Sequence, residues 1–172
     1  PGLTDYDGEP TELLKEAGRI SRVLQRHAGL FNRARVEPAR VALVLSMRTY
    51  LVDWCDHRQS RLAIDSMSGW YRMFWEQNVP GDIVHEDHMD ASSLAGYRLV
   101  VLPFPAALSR NARQALAEYV RGGGTIVSDP YFCPYTDNFY LDTRVPGGGF
   151  DEVFGCRERD IRRAEAGVGV RH

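Results

Sequence analysis

The sequence predicts an α/β fold with a doubly wound, mostly parallel sheet and one extra N-terminal helix, and three observations lead there. Short apolar runs recur at Val41–Leu45, Leu99–Leu102 and Thr125–Ser128, and continuous apolar runs of this length suit strands buried on both faces. Segments of helical periodicity separate those runs, an alternation that builds parallel sheets with crossover helices. Gly and Pro clusters mark the points where each helix must end.

The elements follow in order. Residues 1–9 are polar and punctuated by Gly and Pro, so they read as a loop. Thr11 is a candidate cap for a helix in which Leu13, Ala17, Ile20, Leu24, Ala28 and Phe31 recur at helical spacing to about Asn32. Val41–Leu45 is the first strand, and residues 48–60 read as a polar loop containing Trp54. A long helix is expected from about Ser60 to Asn78, with Ala63, Ile64, Met67, Trp70, Tyr71, Phe74 and Trp75 on a broad apolar arc and with Leu62 and Met73 outside it. Residues 82–85 read as a short strand, 86–97 as an acidic loop and Leu99–Leu102 as a strand stopped by Pro103. Ser109 should cap the next helix, whose buried face is Ala112, Leu116, Tyr119 and Val120. Gly122–Gly124 ends that helix before the strand at 125–128. A Pro-, Tyr- and Gly-rich loop spans 129–149, and Phe150–Phe154 reads as one helical turn.

Composition narrows the partners. The chain has 172 residues and a net charge of −2, which offers no basic footprint for nucleic acid or an anionic membrane. No apolar run approaches the roughly 20 residues that span a bilayer, and Pro1-Gly2-Leu3-Thr4-Asp5 does not read as a signal peptide. Cys55, Cys133 and Cys156 are odd in number and widely spaced. They predict neither a disulfide framework nor a metal pair, and a reducing cytoplasm is the expected compartment.

The order of motifs in the middle of the chain resembles the trimerization domain of family 42 β-galactosidases. The matching stretches are Val41–Ser46, Tyr71-Arg72 through Asn78–Val84, Gly96–Pro103, Leu108-Ser109, Leu116, Tyr119-Val120 and Gly123–Val127, closed by Phe150–Gly155. Gly2-Leu3 and Asp5–Thr11 look like the tail of the catalytic barrel that precedes this domain in the family. The resemblance implies a flavodoxin-like fold of the class I glutamine-amidotransferase type. It divides the chain into 1–36 (end of the barrel), 37–156 (trimerization-type domain) and a charged, poorly ordered tail at 157–172. It implies a homo-oligomer, a trimer, with no cofactor. A retaining glycosidase needs two carboxylates about 5–5.5 Å apart, carried in the family on a barrel of about 250 residues. With no barrel before residue 1, the chain is expected not to hydrolyse galactosides by itself. A galactoside would be bound only through a separate barrel.

Amidotransferase-like enzymes place a nucleophilic cysteine on the strand-to-helix turn that here follows Ser128, but Asp129 and Pro130 stand there. Cys133 lies a few residues on, where a thiol would lack the oxyanion amides of that turn. Cys55-Asp56-His57 is a sequence-adjacent trio, whereas catalytic partners converge from distant segments. A free-standing cysteine hydrolase through Cys133 or Cys55 is the alternative function, and a small-molecule binding module is another. His85-Glu86-Asp87-His88 offers metal-type ligands without the HExxH spacing, so it reads as an acidic solvated loop and no metal is expected. Gly147–Gly149 reads as a flexible loop. Ligands of a doubly wound sheet sit at the carboxyl ends of the strands. There Arg48, Phe104, Asp129 and Tyr131, with Met47 nearby, form a candidate vestigial pocket, for which an Arg48–Asp129 salt bridge closing the rim is the favoured reading. Trp54, Leu62, Met73, Tyr135, Phe139 and Tyr140 are candidate interface residues, because aromatics and methionine are enriched at interface cores.

Overall fold

In the computed structural model, which describes residues 2–35, 37–58 and 60–160, the chain divides at the Glu37–Pro38 junction into two compact units. The first holds α1 (Glu12–Arg26) and α2 (Ala28–Phe31). The expected continuous helix to Asn32 is broken at His27, whose backbone leaves the helical region. Thr11 occupies the N-cap position but does not cap; its hydroxyl donates to the Leu3 carbonyl at 2.9 Å.

The second unit runs β1 (Val41–Leu45), α3 (Met47–His57), α4 (Arg61–Glu76), β2 (Gly81–His85), a 3-10 turn (Glu86–His88), α5 (Ala91–Leu94), β3 (Leu99–Leu102), α6 (Arg110–Arg121), β4 (Thr125–Ser128) and α7 (Phe150–Phe154). The four strands form one parallel sheet in the order β2-β1-β3-β4. Val41 stands opposite both Gly81 and Leu99, and Leu99 opposite Thr125. This is a doubly wound α/β sheet whose order begins as the flavodoxin-like 2-1-3-4 does.

Side chains alternate across a strand, and the two central strands use both faces. Val41, Leu43 and Val101 pack on one side with Met67, Trp70 and Phe74 of α4. Ala42, Val44, Val100 and Leu102 point to the other, where Ala112, Leu116 and Tyr119 of α6 meet Phe132 and Phe150. The edge strands β2 and β4 are only partly covered. Ser109 caps α6 as expected, accepting from the Ala112 amide at 3.2 Å.

Two expected loops are ordered elements instead. Residues 48–60 are not a polar loop, since Met47–His57 form α3, with Thr49, Val52 and Asp53 on its buried face. Polar residues carry that face because their hydroxyls and carboxylate meet backbone groups, which an apolar-periodicity reading does not detect. Ser46 caps α3 by accepting from the Thr49 amide at 3.1 Å. The Asp53 carboxylate caps α4 from outside, accepting from the Ala63 amide at 2.9 Å. Residues 86–97 hold the 3-10 turn and α5, the latter closed by a capping box between Asp90 and Ser93. Of the expected charged tail, residues 161–172 lie outside the described residues. Within 157–160, Glu158 binds the Tyr131 amide with both carboxylate oxygens, at 2.9 and 2.8 Å.

Candidate functional site

A doubly wound sheet takes its ligands where the strand order reverses, in the crevice beyond the carboxyl ends of the strands. Here that point lies between β1 and β3. Side chains of the chain itself fill it. Glu86, 2% exposed, reaches in from the turn after β2. Its Oε1 lies 2.7 Å from Ser46 Oγ, and its Oε2 accepts from the Ser109 amide at 2.7 Å. Ser46 Oγ also lies 2.8 Å from the Ala107 carbonyl, and the Thr49 hydroxyl donates to that carbonyl at 2.9 Å while accepting from the Ala107 amide at 3.2 Å. Burying a carboxylate is costly unless it is hydrogen-bonded, and this one bridges β1, β2 and the entrance to α6. The expected solvated acidic loop is corrected at Glu86. Its neighbours Asp87 and His88 are exposed, and residue type alone does not set Glu86 apart from them. Its place directly after the expected strand at 82–85 was the one sequence feature that pointed toward the carboxyl ends of the strands.

The four rim residues named from sequence are placed as follows. Asp129 follows β4, and its carboxylate accepts from the Ser66 hydroxyl, from Trp70 Nε1 at 2.9 Å and from the Phe104 amide at 3.1 Å. Phe104 and Tyr131 both have positive φ, 40° and 71°, and their rings stack with centroids 5.8 Å apart. Arg48 does not bridge to Asp129, contrary to the favoured salt bridge. It donates to the Asp137 carbonyl at 3.3 Å and lies over the Phe139 ring at 5.7 Å. Arg48 is on α3, whereas Asp129 is drawn toward α4 by Ser66 and Trp70. An open hollow of about 340 Å³ lies beside Asp129, Trp70, Gly69 and Met73.

The cysteines sit apart from this geometry. Cys133 is fully buried, its amide donates to the Pro105 carbonyl at 2.7 Å, and burial pushes its thiol well above the ordinary range. A buried thiol held protonated is a poor nucleophile. Cys55 is exposed, but its neighbours serve other partners: Asp56 accepts from the Tyr135 hydroxyl at 2.7 Å, and His57 Nδ1 lies 2.9 Å from Asp53. Burial first, then the bond to Asp56, raises the Tyr135 phenol. His85 and His88 stand 5.9 Å apart by ring centroid. Among the described residues, no group of three His, Cys, Asp or Glu side chains is placed to hold a metal ion, and no helix is long and apolar enough to cross a membrane. In the 147–149 glycine run, the Gly147 amide donates to the Phe132 carbonyl at 2.9 Å and the Gly148 amide to Asp142 at 3.1 Å, so neither is open to an anion.

Of the residues named as interface candidates, Trp54, Leu62, Met73, Phe139 and Tyr140 are exposed. Trp54 lies on α3 rather than in a loop, and Tyr135 is tied to Asp56.

Comparison with known proteins agrees with this architecture. The beta-galactosidase trimerisation domain family matches residues 39–167. Beta-galactosidase GanA of Bacillus subtilis is 22% identical over 136 residues, covering 73% of this chain and 18% of the relative. Beta-galactosidase LacZ of Lactobacillus acidophilus is 28% identical over 135 residues, covering 76% and 20%. The chain thus spans about a fifth of the length of these curated relatives. The beta-galactosidase from Bifidobacterium adolescentis superposes with a TM-score of 0.61 at 24% identity, over 70% of this chain and 56% of that one. That from the psychrophilic Marinomonas ef1 gives 0.67 at 19% identity, over 88% and 23%. At these identities the superpositions speak for the fold, and the family match speaks for descent. A parallel sheet whose ligand crevice is filled by its own side chains, matched over residues 39–167 of 172, belongs to the beta-galactosidase trimerisation domain family.

Proposed function

We propose that this chain is the non-catalytic assembly unit of a β-galactosidase-type glycoside hydrolase and that it joins copies of the enzyme into a homotrimer. The observation that carries this reading is the filled crevice: Glu86, Ser46, Thr49 and Ser109 occupy the place where the fold would bind a substrate. Residues 37–156 form the assembly unit, residues 1–36 continue a catalytic barrel, and 157–172 is a charged tail. Galactoside chemistry belongs to that separate barrel, so this unit needs no cofactor. Trp54, Leu62, Met73, Tyr135, Phe139 and Tyr140 supply contact surface between copies. The rim at Arg48, Phe104, Asp129 and Tyr131 is a vestige of the ligand site, with its polar groups turned to structural use. The three free thiols suit a reducing cytoplasm.

Light scattering on the purified chain, together with an aryl galactoside assay, tests the proposal. The expected result is a mass of three chains of 19.4 kDa each and no hydrolysis. A single-chain mass throughout the micromolar range, or galactoside turnover by the chain alone, would contradict it.

A further inference from the structure

Among the described residues of the second unit, two exposed apolar patches are each built from several large side chains that its own packing does not use. On α3, Met47, Leu51 and Trp54 recur at i, i+4 and i+7 and so share one helix face, where they are 57%, 51% and 58% exposed. Thr49, Val52 and Asp53 make up the buried face. A surface helix ordinarily turns its apolar stripe to the core, and this helix turns one to water. The Arg48 contacts with Asp137 and Phe139 hold the 137–140 loop beside α3, and Phe139 and Tyr140 of that loop are exposed as well.

The other surface is a flank of α4. Ser66 and Trp70 turn one side of that helix to Asp129 beyond β4. Ile64, Tyr71 and Trp75, at i, i+7 and i+11, share the opposite side, toward β2, where exposed Val79 and Ile83 continue the patch.

We infer that these two patches are the two halves of one contact between copies of this chain. The α3 patch of one copy seats on the α4 flank of the next, head to tail around a ring. The inference rests on the assembly reading above and narrows its surface, keeping Trp54, Phe139 and Tyr140 and leaving Leu62 and Met73, on the other side of α4, outside the contact. Ring closure is the first argument. A contact that uses the same patch on both partners yields a dimer, whereas a three-membered ring requires two unlike patches on every copy, and this chain presents two. Area is the second. Five half-exposed large side chains, at roughly 100 Å² each, give each patch about 500 Å² of apolar surface. A standard interface of about 800 Å² per partner, a little over half of it apolar, needs close to that amount. Residue type is the third. Met47, Trp54, Tyr71 and Trp75 belong to the classes enriched where interfaces are fully buried.

Sedimentation velocity on the full 172-residue chain and two exposed-site variants tests this. Trp54→Glu damages only the α3 patch and Trp75→Glu only the α4 flank. Each variant alone should sediment as a single chain at concentrations where the wild type is trimeric, with an unchanged far-ultraviolet circular dichroism spectrum. Mixed in equal amounts, they should form a one-to-one dimer, because the intact α4 flank of the first meets the intact α3 patch of the second. Leu51→Asp and Ile64→Asp replace them if either spectrum is altered. Variants that remain trimeric, or a mixture that stays monomeric beside a trimeric wild type, would overturn the inference alone. A monomeric wild type would overturn the assembly reading on which it stands.

Discussion

Glu86 shows how one side chain changes the meaning of a fold. Its carboxylate sits in the crevice a ligand would need and holds Ser46 and the Ser109 amide. Removing a buried partner leaves polar groups unsatisfied, at about 1–3 kcal/mol each. Glu86→Ala should therefore lower stability by about that much or more, read as a drop in denaturant midpoint, with Glu86→Gln milder. An unchanged midpoint would mean that the crevice is not held closed by this residue. Thiol chemistry provides a second check. Iodoacetamide should modify Cys55 and Cys156 in the native protein and reach Cys133 only in denaturant, as counted by intact mass. Fast native labelling of Cys133 would revive the cysteine-hydrolase alternative. Tyr135 supplies a pH dependence. Its phenol is raised in the folded state, so its contribution is complete below the unfolded value near 10 and is lost as pH climbs through the higher folded value. Tyr135→Phe should flatten the alkaline fall in melting temperature. At this scale the sequence was legible where identity alone decides, as with Asp129 in place of a nucleophilic cysteine. It was not legible where tertiary contact decides. Nothing local distinguishes buried Glu86 from exposed Asp87, and Arg48 takes its partners from a loop about ninety residues away.

Elements of strong apolar periodicity were readable in advance, and α3 was not. The central strands announce themselves because burial on both faces demands uninterrupted apolar residues. The helix at 110–121 does so through a Ser cap, a regular stripe and a closing glycine run. The inward face of α3 holds Thr49 and Asp53, whose groups satisfy the backbone of other segments, with Val52 as its one buried apolar side chain, while Met47, Leu51 and Trp54 point outward. Those outward residues made the helix look like a loop, and they are the same ones assigned here to the contact between copies. Close packing at the end of α6 gives an element-level prediction. A Cβ placed on Gly124 would lie 2.3 Å from the Tyr119 ring, a ring packed in the core beside β4. Gly124→Ala must displace that ring and should cost about 1–3 kcal/mol, as overpacking does, seen as a lower melting temperature. An unaltered melt would show that Tyr119 moves freely.

At the scale of the whole molecule, the sheet order and the family match agree on what kind of body this is, and the assembly reading gives that body its task. The parallel sheet followed from alternating strands and helices, while its strand order and the choice of interface surface required coordinates. Exposure of Met47, Leu51 and Trp54 cannot be read until it is known which face of α3 meets the sheet. Sedimentation equilibrium of the purified chain across the micromolar range tests the central claim most directly. The expected limiting mass is three times the 19.4 kDa of one chain. A mass that stays at one chain, or levels off at two, would contradict it.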